Sequence, residues 1–109
     1  MSDFNELAAT SFQIIASVGN ARSLYIEAIQ EAKRGNFDHA QELLEEGERS
    51  FLAGHDAHTA LVQAEAAGEP TQMCLMLTHA EDQLMSAESF RMIAAELIDM
   101  CKRFGKTEA

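Results

Sequence analysis

The sequence predicts an all-α protein, an antiparallel three-helix bundle, on the basis of three observations. The strong helix formers Ala, Glu, Leu and Met dominate the 109 residues, whereas Pro occurs once and Trp is absent. Apolar residues recur at helical spacing in three long segments. Short stretches containing Gly or Pro separate these segments, and long helices joined by short turns pack as antiparallel neighbours. Residues 1–109 are therefore expected to form one domain.

The first predicted helix runs from about Asp3 to Lys33. Gly19-Asn20 is expected to interrupt it with a bend or a bulge, because glycine weakens a helix interior. The run Lys33–Asn36 is a stop signal, with basic residues at the helix end and a glycine just after it. Asn36 or Asp38 is expected to cap the next helix.

Arg22 falls on the apolar stripe of this first helix. Because buried arginine is nearly always paired, we expect it to meet a carboxylate, with Glu27 and Glu65 as the candidates. The alternative is that its aliphatic stem lies along the apolar surface while the guanidinium reaches solvent.

The second predicted helix runs from Phe37 to about Ala67, and the turn 68–71 follows it. Its inward positions alternate in steps of three and four, which is a heptad pattern. Two of these positions are glycine, and glycine there would let a neighbouring helix approach closely. The pattern comprises Phe37, Ala40, Leu44, Gly47, Phe51, Gly54, His58, Leu61 and Glu65.

The third predicted helix runs from Thr71 to about Phe104, and residues 105–109 are expected to form a frayed tail. It is apolar on more faces than two neighbouring helices of a small bundle could cover. The surplus apolar face predicts burial against other copies of the chain.

The formal net charge of −10 argues against nucleic acid and anionic membrane surfaces as partners, because both attract Lys and Arg. Cys74 and Cys101 fall on one predicted helix, roughly 40 Å apart, which is beyond disulfide reach. Free thiols, together with the lack of a signal-peptide pattern and of a membrane-spanning apolar run, predict a cytoplasmic protein.

Four histidines are candidates for chemistry: His39, His55, His58 and His79. His39 is expected at the surface. His55 and His58 are three residues apart, a spacing that suits a metal, but no third ligand is evident. His79 and Asp82 share a helix face in an otherwise apolar stretch, and a buried polar pair must be hydrogen-bonded, bound to an ion or chemically active. Spacing alone leaves a structural histidine open as an alternative.

The stretch Leu75-x-Leu-x-His79-Ala-Glu-Asp82-Gln-Leu-Met resembles the signature of the lactose/cellobiose (chitobiose) type IIA component of the bacterial phosphoenolpyruvate-dependent sugar phosphotransferase system. The runs Thr59-x-Leu-Val-Gln-x-Glu-Ala-x-Gly68 and Gly19-Asn-Ala-Arg-Ser-x-x-x-Glu-Ala28 are similar to it as well. The resemblance covers nearly the whole chain.

This resemblance implies a homotrimer of three-helix subunits, nine helices in all. It implies that His79 accepts a phosphoryl group on its Nε2 (tele) nitrogen from phospho-HPr and donates it to a cysteine of the IIB component. It also implies that Asp82 of each subunit meets the other two at the threefold axis and holds one divalent cation, typically Mg²⁺. Three carboxylates in an apolar centre would otherwise repel one another.

Two departures from the family pattern concern the surroundings of His79. The family often has histidine where this chain has Gln83, and glutamine where it has His58. We therefore take both as supporting residues and hypothesise that they lie close together with exchanged roles. Glu81, where the family often has glutamine, is two residues from His79 and is expected to face solvent.

Three functions compete with a phosphocarrier in the uptake of a β-linked disaccharide (cellobiose, chitobiose or lactose). The first is a helical adaptor in which His79 is structural. The second is a metal-dependent hydrolase that uses His55, His58, His79 and Asp82. The third is a regulatory phosphohistidine protein that is not coupled to transport.

Overall fold

The computed structural model describes residues 3–105 and contains three α-helices of 30 residues each: α1 (Phe4–Lys33), α2 (Phe37–Ala66) and α3 (Leu75–Phe104). They lie side by side in a rod of 61 × 22 × 19 Å. Each pair of helices is in contact. The predicted all-α bundle is confirmed for the single chain.

The helix ends follow local backbone chemistry. Asp3 precedes α1, and its side chain accepts a hydrogen bond of 2.8 Å from the backbone N–H of Glu6. Gly35 and Gly68 follow α1 and α2 with φ of +88° and +94°, a left-handed conformation that favours glycine. Asn36 occupies the N-cap position of α2, but its side chain donates to Glu31 instead of capping the helix.

Two predicted boundaries are wrong. α1 continues without interruption through Gly19-Asn20, because the residues on both sides are helical and one glycine costs too little to break a packed helix. α3 begins at Leu75 rather than Thr71, since residues 69–74 cross the end of the bundle before the chain turns back. Gly105 follows α3, and the rest of the predicted frayed tail lies outside the described residues.

The α1–α2 seam is the contact in which Gly47 and Gly54 of α2 face Tyr25 and Val18 of α1. A β-carbon at Gly47 would lie 2.6 Å from Cε1 of Tyr25, and one at Gly54 would lie 2.8 Å from Cγ1 of Val18. Glycine is therefore required at both positions for α1 and α2 to approach, as the heptad pattern predicts. Glu65, the last residue of that pattern, is exposed.

Tyr25 is the largest fully buried side chain of the core. Within the described chain its hydroxyl has no hydrogen-bond partner. Burial raises the pKa of Tyr25 to about 12, and the nearby Glu48 carboxylate adds to this. The other fully buried large residues are Ile14, Val18, Phe51, Leu77 and Leu84.

Glu31 ties together the turn between α1 and α2. Its carboxylate accepts hydrogen bonds from Arg34, from Asn36 at 3.0 Å and from His39 Nδ1 at 2.9 Å. The hydrogen bonds from His39 and Asn36 are the main causes that lower the pKa of Glu31 to about 2. The same contact raises the pKa of His39. His39 is therefore a residue of this turn, in keeping with its predicted place at the surface.

Candidate functional site

His79 is the fifth residue of α3 and is exposed in the single chain. It lies between the buried Leu77 and Ala80, so the core holds the backbone on both sides of it while the ring faces out. The expectation that His79 and Asp82 form a buried polar pair is wrong for the single chain, because both residues are exposed while Leu77 and Ala80 are buried. An imidazole so placed is open to a protein partner in the single chain.

The flank of α3 that carries His79, here called the α1 flank, also carries Gln83, one helical turn further along. Arg22 of α1 reaches this flank, and its Nη1 donates a 2.5 Å hydrogen bond to Oε1 of Gln83. The expectation that Arg22 pairs with the carboxylate of Glu27 or Glu65 is therefore wrong. Sequence reasoning missed the pairing because a neutral amide is not the usual partner of a half-buried guanidinium.

The opposite flank of α3, here called the α2 flank, carries two hydrogen-bonded pairs to α2. Nε2 of His58 donates to Glu81 at 2.7 Å. Nη1 of Arg91 donates to both carboxylate oxygens of Glu48, at 2.6 and 2.7 Å. Glu81 points away from His79, as expected, but the expectation that it faces solvent is wrong, because its side chain is only 39% exposed and is paired.

The structure does not bring His58 and Gln83 together within one chain, since each is bound to a partner on an opposite flank of α3. His55 and His58 do not converge either: the ring of His55 packs against Phe51, with 5.8 Å between ring centroids. Within residues 3–105 of one chain, no group of three or more His, Cys, Asp or Glu side chains is placed to hold a metal ion. The hydrolase site built from His55, His58, His79 and Asp82 is thus not assembled in the single chain.

Asp82 lies on a third surface of α3, which faces away from α1 and α2. Residues 7, 11 or 18 positions apart share one face of a helix, which places Asp82 together with Leu75, Ile93 and Met100. These three apolar side chains are 85%, 51% and 53% exposed. We call these four residues the outer face of α3, and it is the surplus apolar face that the sequence predicts.

Among the described residues, no helix has the length and hydropathy needed to cross a membrane.

The surroundings of Asp82 fit a cation only if several copies of the chain meet. The carboxylate is exposed and makes no side-chain hydrogen bond or ion pair within the described part of the chain. One carboxylate alone is a poor site for a divalent ion, whereas three converging carboxylates match its preference for oxygen ligands. One subunit by itself therefore does not offer the donor set that Mg²⁺ requires.

A cavity of about 410 Å³ lies at the end of the bundle where α3 begins. It is lined by the start of α1, the end of α2 and the segment 69–74. None of His58, His79, Asp82 and Gln83 lines it. Its lining includes Phe4, Leu7, Leu61, Pro70, Met73 and Cys74.

Comparison with known proteins identifies the family. Residues 9–102 match the model of the lactose/cellobiose-specific IIA subunit of the phosphotransferase system. The chain belongs to this family. Its members are phosphotransfer proteins, and membership supports a phosphocarrier role in sugar uptake.

Individual relatives agree with this assignment. The chain is 41% identical over 92 residues to the oligo-beta-mannoside-specific EIIA component of Bacillus subtilis, covering 84% of each chain. It is 39% identical over 98 residues to the lichenan-specific enzyme IIA component of the same organism, covering 90% of this chain and 89% of that one. The crystal structure of the cellobiose-specific enzyme IIA from Bacillus anthracis superposes with a TM-score of 0.85 at 39% identity, covering 94% and 93% of the two chains.

Proposed function

We propose that this IIA subunit is a phosphocarrier in which His79 accepts a phosphoryl group from phospho-HPr and donates it to a cysteine of the IIB component. The observation that carries the proposal is the exposure of His79 at a fixed point of α3, between two buried residues. The names of the relatives, which mention oligo-beta-mannoside, lichenan and cellobiose, support uptake of a β-linked disaccharide such as cellobiose, chitobiose or lactose.

The transfer is a pair of in-line displacements at phosphorus. Nε2 of neutral His79 attacks the phosphorus of the donor phosphohistidine, so that one P–N bond forms while the other breaks. The donor imidazole leaves with the bonding electron pair and takes up a proton, and His79 gives up the proton of Nδ1. In the second step the thiolate of IIB attacks, a P–S bond forms, and the imidazole of His79 leaves and is protonated again.

We also propose that three chains associate through the outer face of α3. Leu75, Ile93 and Met100 would lose water-exposed apolar surface in such an assembly, which favours it. The three Asp82 carboxylates would then hold one Mg²⁺, which would offset their mutual repulsion. His79 is three residues from Asp82, about 60° round the helix, so it would lie at the edge of this interface on the α1 flank, where a groove can stay open to HPr and IIB.

Incubation with phosphoenolpyruvate, the general relay proteins and labelled phosphate tests the function. We expect one acid-labile phosphate per chain, mapped to α3. The variant His79→Ala should take up none, while His39→Ala, which alters a histidine at the far end of the bundle, should be labelled like the wild type. Circular dichroism should show both variants folded, since exposed substitutions change stability by less than about 0.5 kcal/mol.

A helical adaptor is the alternative, with His79 as an ordinary surface residue. It predicts no labelling of the wild type under these conditions. A regulatory phosphohistidine protein predicts labelling of His79 without onward transfer. Adding the IIB component to the phosphorylated chain separates this case from a carrier, because only a carrier loses its label to the IIB cysteine.

A further inference from the structure

The charge of Arg22 is not neutralised by any carboxylate in the described chain. Its side chain is half buried, and its one side-chain partner there is the neutral amide of Gln83. By contrast, Arg34, Arg91 and Arg103 each lie within 4.0 Å of a carboxylate oxygen. Partial burial of a guanidinium costs hydration free energy, and a neutral partner does not offset this cost as an ion pair would. Such a placement calls for an anion from outside the single chain.

The position of Arg22 indicates which anion this is. Gln83 lies one turn from His79 on the same flank of α3, so the guanidinium bound to Gln83 lies about one helical turn from His79. A guanidinium has five N–H donors in a planar fork that matches phosphate oxygens. Only one of them is used in the hydrogen bond to Gln83, which leaves the others for a ligand on this flank.

We propose that Arg22 binds the phosphoryl group on His79, and that Gln83 is the positioning residue that holds the guanidinium there. This role rests on the proposed function of His79. As the P–N bond to His79 forms and the bond to the donor breaks, negative charge is spread over the phosphoryl oxygens. The free N–H groups of Arg22 donate hydrogen bonds to those oxygens. No proton passes to or from Arg22.

Electrostatics explains why the residue that holds Arg22, Gln83, is neutral. A carboxylate beside Arg22 would cancel its charge and repel the phosphoryl group, whereas an amide fixes the guanidinium and leaves its charge available. The chain has a net charge of −10, and Glu81 and Asp82 lie within three residues of His79. A positive group on the His79 flank therefore has a large effect on an incoming dianion.

The test uses the small donor phosphoramidate, which phosphorylates histidine without a protein partner and so separates phosphoryl binding from docking. The variants are Arg22→Gln, Arg22→Lys and Gln83→Met. The matched control is Arg91→Gln, which alters the half-buried arginine on the α2 flank of α3. All proteins are full chains, their folding is checked by circular dichroism, and the rate of phosphohistidine formation and the ³¹P NMR titration of the product are measured.

We expect Arg22→Gln to lower the rate of phosphorylation about 100- to 1000-fold, the range found when one charge-stabilising donor is removed. Arg22→Lys should recover part of the loss, and Gln83→Met should show a smaller loss because the guanidinium stays but is no longer anchored. The ³¹P titration midpoint of the phosphoryl group should rise in Arg22→Gln, because the dianion loses its cation. Arg91→Gln should leave both readouts unchanged.

Wild-type rates and an unchanged ³¹P midpoint in Arg22→Gln would overturn this role while leaving the proposed function of His79 intact. Equal losses in Arg22→Gln and Arg91→Gln would also overturn it, because they would indicate a general effect on the bundle. A wild-type protein that takes no phosphoryl group from either phosphoramidate or the relay proteins would instead overturn the function of His79, and with it the role of Arg22.

Discussion

The α1–α2 seam and the outer face of α3 are built from different kinds of residue. The seam uses Gly47 and Gly54 to let two helices approach until Tyr25 and Val18 fill the space between them. The outer face presents Leu75, Ile93 and Met100 with half or more of each side chain exposed. The seam is complete within one chain, whereas the outer face has apolar surface that no part of the described chain covers. The comparison distinguishes the contacts that stabilise the fold of one chain from the surface that remains exposed for assembly.

The largest effect should come from placing a charge on the outer face. In Ile93→Glu, each subunit of the proposed trimer would bury a carboxylate without a partner, at a cost on the order of 3 kcal/mol per subunit, or about 100-fold in affinity. Analytical ultracentrifugation should show monomers at concentrations where the wild type is trimeric. The single chain should stay helical because Ile93 lies outside its core. A trimer that survives this change would place the interface elsewhere.

A methyl group in the seam should have the next largest effect. Gly47→Ala places a β-carbon 2.6 Å from the Tyr25 ring, and we expect the free energy of unfolding to fall by about 1–3 kcal/mol. Gly19→Ala is the matched control, because a β-carbon there meets nothing within 4 Å. It should raise the free energy of unfolding by about 0.5–1 kcal/mol, since alanine favours a helix interior. Urea unfolding measures both, and equal effects would contradict the packing argument.

A smaller effect is expected at Asp82. Asp82→Leu removes three like charges from the centre of the proposed trimer, so the trimer should be as stable as the wild type or more stable by up to about 1 kcal/mol per subunit. The wild type should lose trimer stability when EDTA removes the cation, and the variant should not respond. Dilution series with and without EDTA measure this. Dissociation of the Asp82→Leu trimer in both conditions would contradict the account of this residue.

The smallest effect should appear at the turn that closes the seam. The carboxylate of Glu31 contributes stability above its ordinary pKa of 4.5, and this is lost as the pH falls toward about 2. The pKa of His39 is raised, so its contribution is present below its ordinary value of 6.5 and is lost as the pH rises through the raised value. Glu31→Gln should lower the NMR titration midpoint of the His39 ring and leave that of His55 in place. An unmoved His39 midpoint would show that the ion pair is absent in solution.

The fold can be predicted almost completely from the sequence, because helical periodicity and two glycine stop signals determine three helices and their order. The seam can be predicted as well, since glycine at a heptad position weakens its own helix and is favoured only where a neighbouring helix comes close. The start of α3 lies four residues later than the sequence predicts, because a proline after a glycine suits a helix start as well as an extended crossing.

The polar pairs around α3 cannot be predicted from the sequence, because side-chain partners between helices depend on which flanks meet. The angle between Glu81 and His79 predicts a solvent-facing carboxylate, but that angle turns Glu81 toward His58 of α2. A carboxylate is the commonest partner of a buried arginine, yet the amide of Gln83 occupies that place beside Arg22. That His79 and Asp82 share a side of α3 follows from their spacing of three residues alone.

The length of α3 has a practical consequence for measuring this protein. His79 is in the second turn of α3, and Gly105 directly follows Phe104, the last residue of the helix. The two positions are therefore 26 residue steps, roughly 39 Å, apart along the helix axis. Attachment of the protein to a bead or an electrode near Gly105 would therefore hold the imidazole well clear of the support. Immobilised in that orientation, the subunit would serve as a probe for capturing relay proteins by their docking surfaces.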